Sequence, residues 1–379
     1  MLTQTTVHLA RPLVSYRVIA LGGDARAVGL VAAAFAVLPL LVAIPLGRLS
    51  DRLSRLGLLL AAGTCLLAAG SLLMSVSGSV PALALNSAVV GLGQLVFLVA
   101  AQGTVARWSS GPLLDRGFGW LTAAVSVGQL LGPLLTGALL GSATGEALAT
   151  ASRHAFWVCA GTALLALPVV AVVAVRTPVR RRAPERAAEA PSSTLALLQR
   201  SGVPTKLFAS LALLAAADIL TAYLPLIADS RGIAPAVVGV LLGLRAAATI
   251  CSRLLLDRLL IHWRHDVLIV ASAAGSAAAF ALVPVPGLGL VGMGVALVVG
   301  GFLLGVGQPL TMTLMVRAVP VEARSRGLAL RMVANRIGQV ALPAAAALVA
   351  GSTGAGALWL ACAVLATASA AAHRASATS

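Results

Sequence analysis

Charge is what this sequence has least of. Only 10% of its 379 residues are charged and 59% are hydrophobic, whereas soluble domains carry roughly 25% charged residues. So few charges cannot cover a surface that faces water, and lipid must be the solvent for most of the chain. Acidic residues are scarcer than basic ones, 11 against 27, which leaves a net charge of +16. Lysine is nearly missing: Lys206 stands alone among arginines, a bias that reads as genome composition. Aromatic residues make up 4%, too few to interleave with arginine in a nucleic-acid surface, so no nucleic acid is expected as a partner. Cysteine is also sparse. Cys65, Cys159, Cys251 and Cys362 lie far apart inside apolar stretches, where a thiol is a small packing group, and nothing marks an oxidising compartment. G-x-x-x-x-G-K-[ST], G-x-S-x-G and H-E-x-x-H are absent, which argues against a nucleotide-driven pump and against a membrane hydrolase. His262 and His265, the one close histidine pair, have no cysteine or second acid beside them to complete a metal site. The chain reads as no enzyme, with no cofactor, no metal and no catalytic residue.

What is present is a series of long apolar runs. No Asp, Glu, Lys, Arg or His occurs from Leu56 to Ala106, nor from Val267 to Val316. Each run is about twice the ~20 residues that cross a hydrocarbon core, and each has turn residues near its middle, Gly78-Ser79-Val80-Pro81 and Pro284-Val285-Pro286-Gly287. The pattern predicts twelve spans, at residues 3–21, 27–47, 57–77, 81–105, 118–141, 154–175, 206–228, 236–256, 266–285, 288–315, 327–349 and 354–372. Arg11, Pro12 and Arg17 interrupt the first span, which is therefore no cleavable signal peptide. No polar tail precedes that span, so a natural start further upstream is expected.

The one long polar stretch, Arg176 to Ser201, carries five arginines up to Arg186, with Pro178, Pro184 and Pro191. It cannot bury a core. The expected organisation is an N-terminal six-helix bundle at 1–175, a basic cytoplasmic linker at 176–204 and a C-terminal six-helix bundle at 205–379. The even-numbered loops and the C-terminus hold most of the 27 basic residues, and the odd-numbered loops hold only Arg26, Arg153 and Arg231. Both termini and the linker are therefore expected in the cytoplasm of a bacterium, with the protein multi-pass in its inner membrane.

The two halves repeat each other. At an offset of 210, Arg107 falls on Arg317, Arg116-Gly117 on Arg326-Gly327, Gly128-Gln129 on Gly338-Gln339 and Pro133 on Pro343. At 207, Tyr16 falls on Tyr223 and Arg11 on Asp218; at 206, Asp51-Arg52 falls on Asp257-Arg258. Matches among Ala, Leu and Gly are cheap in such a sequence, but most of these are not. A parallel duplication of six helices explains them.

Gly47-Arg48-Leu49-Ser50-Asp51-Arg52-Leu53-Ser54-Arg55, between spans 2 and 3, resembles the loop signature G-x-L-x-D-R-x-x-R of the major facilitator superfamily. A degenerate copy, Arg253-Leu-Leu-Leu-Asp257-Arg258, follows span 8. The resemblance covers the whole chain and implies an all-α membrane fold of twelve helices in two pseudo-symmetric bundles. It also implies that Gly47, Asp51, Arg52 and Arg55, with Asp257 and Arg258, form a cytoplasmic gate. Asp51 at the membrane edge suits the positive N-terminal end of span 11, and Arg52 and Arg55 suit acidic groups or lipid phosphates. In span 5, Gly128-Gln-Leu-Leu-Gly132-Pro133-Leu-Leu-Thr136-Gly137 resembles the antiporter signature G-x-x-x-G-P-x-x-G-G of the family's bacterial efflux members, with Thr136 in place of one glycine. The family's antiporters often carry an arginine in span 4, four residues before a glycine. Here Ser87 precedes Gly91 and span 4 has no charge, which counts against proton coupling through that position.

Charges within spans cost ~2.5–3.5 kcal/mol each at mid-bilayer and should face a cavity or a partner. Arg11 and Asp218 occupy matching places in the repeat and are expected to interact, with Asp218 as the proton-coupled group. Arg245, Arg331 and Asn335, the last two four apart on one helical face, join Tyr16 and Tyr223 as candidate cavity residues. Arg17 and Arg336 are expected to snorkel to the interface. Secondary transport of a small solute by alternating access follows, with proton-coupled export as the first expectation. The arginines keep uptake or exchange of a small organic anion as the alternative. Membrane lipids and protons are the other expected partners, and the chain reads as a monomer. A channel or a sensor on the same scaffold stays open, since fold does not fix function. If the loop is a gate, Asp51→Asn slows transport in proteoliposomes with little loss of expression. A wild-type rate would reduce the loop to a topology signal.

Overall fold

The computed structural model describes residues 1–53, 55–108, 112–176, 197–200, 202–319 and 324–377. The described residues form thirteen helices: α1 (Leu2–Ala20), α2 (Ala25–Arg52), α3 (Leu56–Ser75), α4 (Val80–Trp108), α5 (Pro112–Leu140), α6 (Gly145–Arg176), α7 (Val203–Asp229), α8 (Pro235–Leu254), α9 (Leu256–His262), α10 (His265–Leu282), α11 (Gly289–Ala318), α12 (Arg324–Val349) and α13 (Ala355–Ala377). Eleven of them are long and apolar enough to cross a membrane. The other two are α1 and the seven-residue α9. Most of the expected linker, residues 177–196, lies outside the described residues.

Each expected span has its helix, and the departures have a physical reason. α5 begins at Pro112 and α6 at Gly145, six and nine residues before the apolar runs they contain. Hydropathy marks the hydrocarbon core, whereas a helix ends only where its backbone bonding ends. The segment after α8, read as a loop, is instead the short helix α9. Its Leu256, Leu259 and Leu260 share one face and pack on Leu268, Val306 and Leu310, while Asp257 and Arg258 stay exposed.

The chain divides into two compact units, Met1–Arg186 with Ala228–Val240, and Ala187–Ile227 with Leu241–Ser379. In the first unit, α3 packs against α4 and α6, α2 against α4, and α1 against α5 and α6. α1 is polar for a membrane helix, with buried Thr3, Gln4, Thr5, Thr6 and Ser15. That polarity is tolerable because protein rather than lipid surrounds it: Thr6 Oγ1 meets Thr162 Oγ1 of α6 at 2.8 Å, and Thr136 Oγ1 of α5 donates to the Leu9 carbonyl at 2.9 Å. In the second unit α10 packs against α11 and α13, the same third-with-fourth and third-with-sixth pattern. α7, the counterpart of α1, is likewise mostly buried.

The repeat extends to single hydrogen bonds. After α1, Leu21 N–H donates to Val18 C=O, Gly22 to Ile19 and Gly23 to Val18; after α7, Arg231 donates to Ala228, Gly232 to Asp229 and Ile233 to Ala228. The two sets are offset by 210. Gly22 and Gly232 both have positive φ, 73° and 66°, as do Gly141 and Gly351 after α5 and α12, at 56° and 65°. Left-handed closure of a helix end is strained for residues with a Cβ, which accounts for glycine at both copies.

α2 and α4 approach closely through one feature. Pro39 has no N–H, so the carbonyl of Phe35 has no partner within α2, and Gly91 of α4 lies against that carbonyl, where a Cβ would collide with it. Ser87, one turn earlier, donates to the Val31 carbonyl at 3.3 Å. The span 4 position where the family's antiporters often carry an arginine is thus a packing position. Gly91→Ala should destabilise the protein by about 1–3 kcal/mol, because the obstacle is backbone and cannot rotate away. The check is the melting midpoint of the detergent-purified protein, and an unchanged midpoint would refute the close approach.

Candidate functional site

The expected site residues fall into two groups, one in each unit. In the first unit, the span 5 motif is a packing surface. A Cβ on Gly128 would meet the Gln4 carbonyl carbon at 2.7 Å, and one on Gly132 would run into the backbone of His8 and Leu9. Gly137 faces the start of α8, a Cβ there lying 3.0 Å from the Ala236 carbonyl and the Gly239 Cα, and Ala236 N–H donates to the Gly141 carbonyl at 2.9 Å. Pro133 exposes its own carbonyl to Gly239, where a Cβ would lie 2.6 Å away. The contact repeats in the second unit: Gly338 of α12 lies against Leu211 of α7, and Leu211 is the counterpart of Gln4 at the offset of 207.

Arg11 is half-buried with its guanidinium 4.9 Å above the Phe35 ring, a cation–π contact that offsets part of its desolvation. Arg17 departs from the expected snorkelling. It is 6% exposed and donates to the Ser77 carbonyl at 2.9 Å and to the Ala149 carbonyl at 3.1 Å. Ser77 lies just past the end of α3, so the cation meets the negative end of a helix dipole. Tyr16 is buried, as is Tyr223 in the second unit, where its ring packs against Gly354. In the gate motif, Gly47 has open space around its Cα, Arg55 is exposed at the start of α3, and the side chains of Asp51 and Arg52 lie outside the described residues.

The second unit holds a connected set of polar side chains. Gln339 Nε2 of α12 donates to Asp218 Oδ2 of α7 at 2.7 Å, and Arg336 Nη1 donates to Gln339 Oε1 at 3.0 Å. One turn back along α12, Ser210 Oγ of α7 donates to Asn335 Oδ1 at 2.9 Å. A further turn back, Arg331 Nη2 donates to Thr311 Oγ1 at 3.0 Å and to the Gln308 carbonyl at 3.3 Å, both on α11. Arg253 Nη2 of α8 reaches Gln308 Oε1 at 2.7 Å. Arg245 is 8% exposed and its backbone lies against Gly301, with Thr249 Oγ1 donating to both the Arg245 and the Gly301 carbonyls.

Sequence reasoning placed Arg331 and Asn335 on one face, and the structure brings both into this set. It met Gln339 only as the repeat partner of Gln129, and Arg253 only as the first residue of the degenerate motif copy. The signal for Gln339 was its position four residues beyond Asn335 and eight beyond Arg331, on the same face. Arg336 was expected to reach outward and instead meets Gln339. The expected pairing of Arg11 with Asp218 would join the two units and belongs to the proposal below.

Several solved structures share this architecture. A bacterial homolog of the human lysosomal transporter Spinster aligns with a TM-score of 0.76 at 14% identity, covering 100% of this chain and 96% of that one. The nucleoside transporter NupG gives 0.75 at 14% identity over 99% and 96%. A D-xylose-proton symporter gives 0.74 at 14% identity over 97% and 95%. No curated protein matches the chain in sequence. The sequence profile of the Major Facilitator Superfamily matches residues 1–300 and 207–375. With twelve membrane-spanning helices in two six-helix bundles, α1 supplying the twelfth span, the chain belongs to the Major Facilitator Superfamily and is a secondary transporter.

Proposed function

We propose that this transporter exports a small solute in exchange for protons, with Asp218 as the proton-binding group. The observation that carries the reading is the chain from Asp218 through Gln339 to Arg336. Asp218 is the acid at the middle of a span, half-buried, and a neutral amide stands between it and the guanidinium. Gln339 holds the carboxylate through a neutral donor that belongs to another helix. Protonation weakens the bond from Gln339 Nε2 and so couples α7 to α12. Arg11 of α1, at the matching place in the repeat, is the further partner that would compete for Asp218.

The working cycle is alternating access between two halves, 1–175 and 205–379, joined by a cytoplasmic linker at 176–204. Solute shifts the equilibrium only through its different affinity for the two states. The loop motif, Gly47, Asp51, Arg52 and Arg55 with Asp257 and Arg258, serves as the cytoplasmic gate. Export is favoured by the antiporter-like residues Gly128, Gly132, Pro133 and Gly137. The distribution of arginine supports a bacterial inner-membrane location with both termini cytoplasmic, and the protein acts as a monomer. Tyr16, Tyr223, Arg245, Arg331 and Asn335 line or support the solute path. Uptake or exchange of a small organic anion is the second reading, favoured by Arg331, whose partners Thr311 and Gln308 are both neutral.

Asp218→Asn should abolish pH-driven flux in proteoliposomes and preserve solute exchange; an unchanged pH dependence would remove Asp218 from coupling. Gln339→Leu, which leaves Asp218 without this donor, should cost about 1–3 kcal/mol of stability and move the pH profile of flux. A lower melting point with an unmoved profile would make Gln339 structural only.

A further inference from the structure

Arg331 poses a problem that the export reading does not solve. Its guanidinium is held by a threonine hydroxyl and a backbone carbonyl, and its Nε is buried with no hydrogen-bond partner. A charge inside a membrane protein normally has a counter-charge or a cavity. Around Arg331 the structure gathers more donors: Arg253 reaches the amide oxygen of Gln308 from α8, while Arg331 reaches the backbone carbonyl of the same residue from α12, so two guanidinium groups from two helices meet one uncharged residue. Thr311 Oγ1 itself donates to the Gln308 carbonyl at 2.8 Å, which orients the threonine oxygen towards Arg331. Two cations drawn together inside one unit repel each other.

We infer that Arg253, Gln308, Thr311 and Arg331 form an oxyanion-binding site, which takes the carboxylate or phosphate group of a small solute between the two guanidinium groups. Guanidinium presents a planar fork of N–H donors that matches two oxygens at once, and such charge-assisted pairs are the strong ones. A bound oxyanion neutralises the doubled charge and supplies an acceptor near the Arg331 Nε. Gln308 lies ten residues before the end of α11, and Arg331 seven after the start of α12. These separations correspond to roughly 15 and 10 Å of helix. Arg253 stands in the last turn of α8, so the site runs from a helix end inward; its chemistry suits any oxyanion, a solute is taken as the occupant, and a lipid headgroup is the other source that the test separates. The inference rests on the chain being a solute transporter and names the class of solute; it requires neither export nor proton coupling.

The test is binding to the full chain purified in neutral detergent, read as the shift of the melting midpoint. The probes are sodium succinate, sodium phosphate and sodium chloride at equal ionic strength. Succinate or phosphate should raise the midpoint saturably, and chloride should not. Arg331→Gln and Arg253→Gln should each weaken that binding about tenfold or more, and Arg26→Gln, on an exposed residue, should leave it unchanged. A second readout needs no ligand: Arg331→Met should raise the unliganded midpoint, because it removes a charge held only by neutral groups. A wild-type protein with no saturable shift would overturn the site. So would a shift kept in both arginine variants, or a lowered unliganded midpoint in Arg331→Met, as a structural tie would give. Nanodiscs of neutral and of anionic lipid distinguish the remaining source: stabilisation by anionic lipid that succinate does not compete away would assign the arginines to a headgroup and refute the solute. Since binding is measured without a gradient, a negative result here leaves the role of Asp218 standing, and the failure of Asp218→Asn leaves this site standing.

Discussion

The structure depends on one constraint: within a membrane, a polar group must find its partner in the protein. Backbone groups satisfy it by forming helices, which is why the described residues that cross are helical throughout. Side chains satisfy it by facing other helices. Arg17 shows the rule at full cost, buried and held by two carbonyls, one just past the end of α3 and one in α6. Thr136, Ser87 and Thr249 show it at low cost, each donating to a carbonyl of a neighbouring helix. α1 could not stand in lipid with its threonines, glutamine, histidine and arginines, and so becomes an interior helix. Polarity of a span thus predicts its position in the bundle, and the two most interior helices of the repeat, α1 and α7, carry Arg11 and Asp218.

The duplication extends this logic to pairs. Sequence offsets of 210 and 207 recur as the same turn bonds after α1 and α7, the same left-handed glycines after α5 and α12, and the same contact of a glycine with the helix opposite. Where the copies keep the same residue, backbone geometry is what it serves. Where they differ, the difference is chemical: Gln4 becomes Leu211, Arg11 becomes Asp218, and Gly47 becomes Arg253. The conserved geometry supplies the scaffold, and the unmatched charges fall in the second unit's polar set.

Much of this was legible before any coordinates. Long apolar runs gave every span, because crossing lipid imposes a length and a composition together. The helix ends were less legible, as with α6, whose first turns contain Glu146, Arg153 and His154. Charge there reflects the interface, and a helix continues through it. α9 escaped because seven residues are too few to show a period, and Asp257 and Arg258 within it read as loop. The site was legible where helical spacing carried the information, as for Arg331 and Asn335. It was not legible where partner choice did. Arg253 at the end of a span looks the same in sequence whether it points out to a phosphate or back towards Gln308.

That ambiguity bears on how this transporter would be read from charge alone. A count of arginines near span ends treats them all as topology signals, and in this chain most of them fit that role. A buried arginine differs in having a desolvation cost that some partner must offset. Arg11 meets part of it with an aromatic face, Arg17 with two backbone carbonyls, and Arg336 with the amide that also serves Asp218. Arg331 meets it only with a hydroxyl and a carbonyl, beside a second cation drawn to the same glutamine. In a protein whose sequence is so sparing of charge, a guanidinium with this little compensation is where the proposed solute would supply the missing counter-charge.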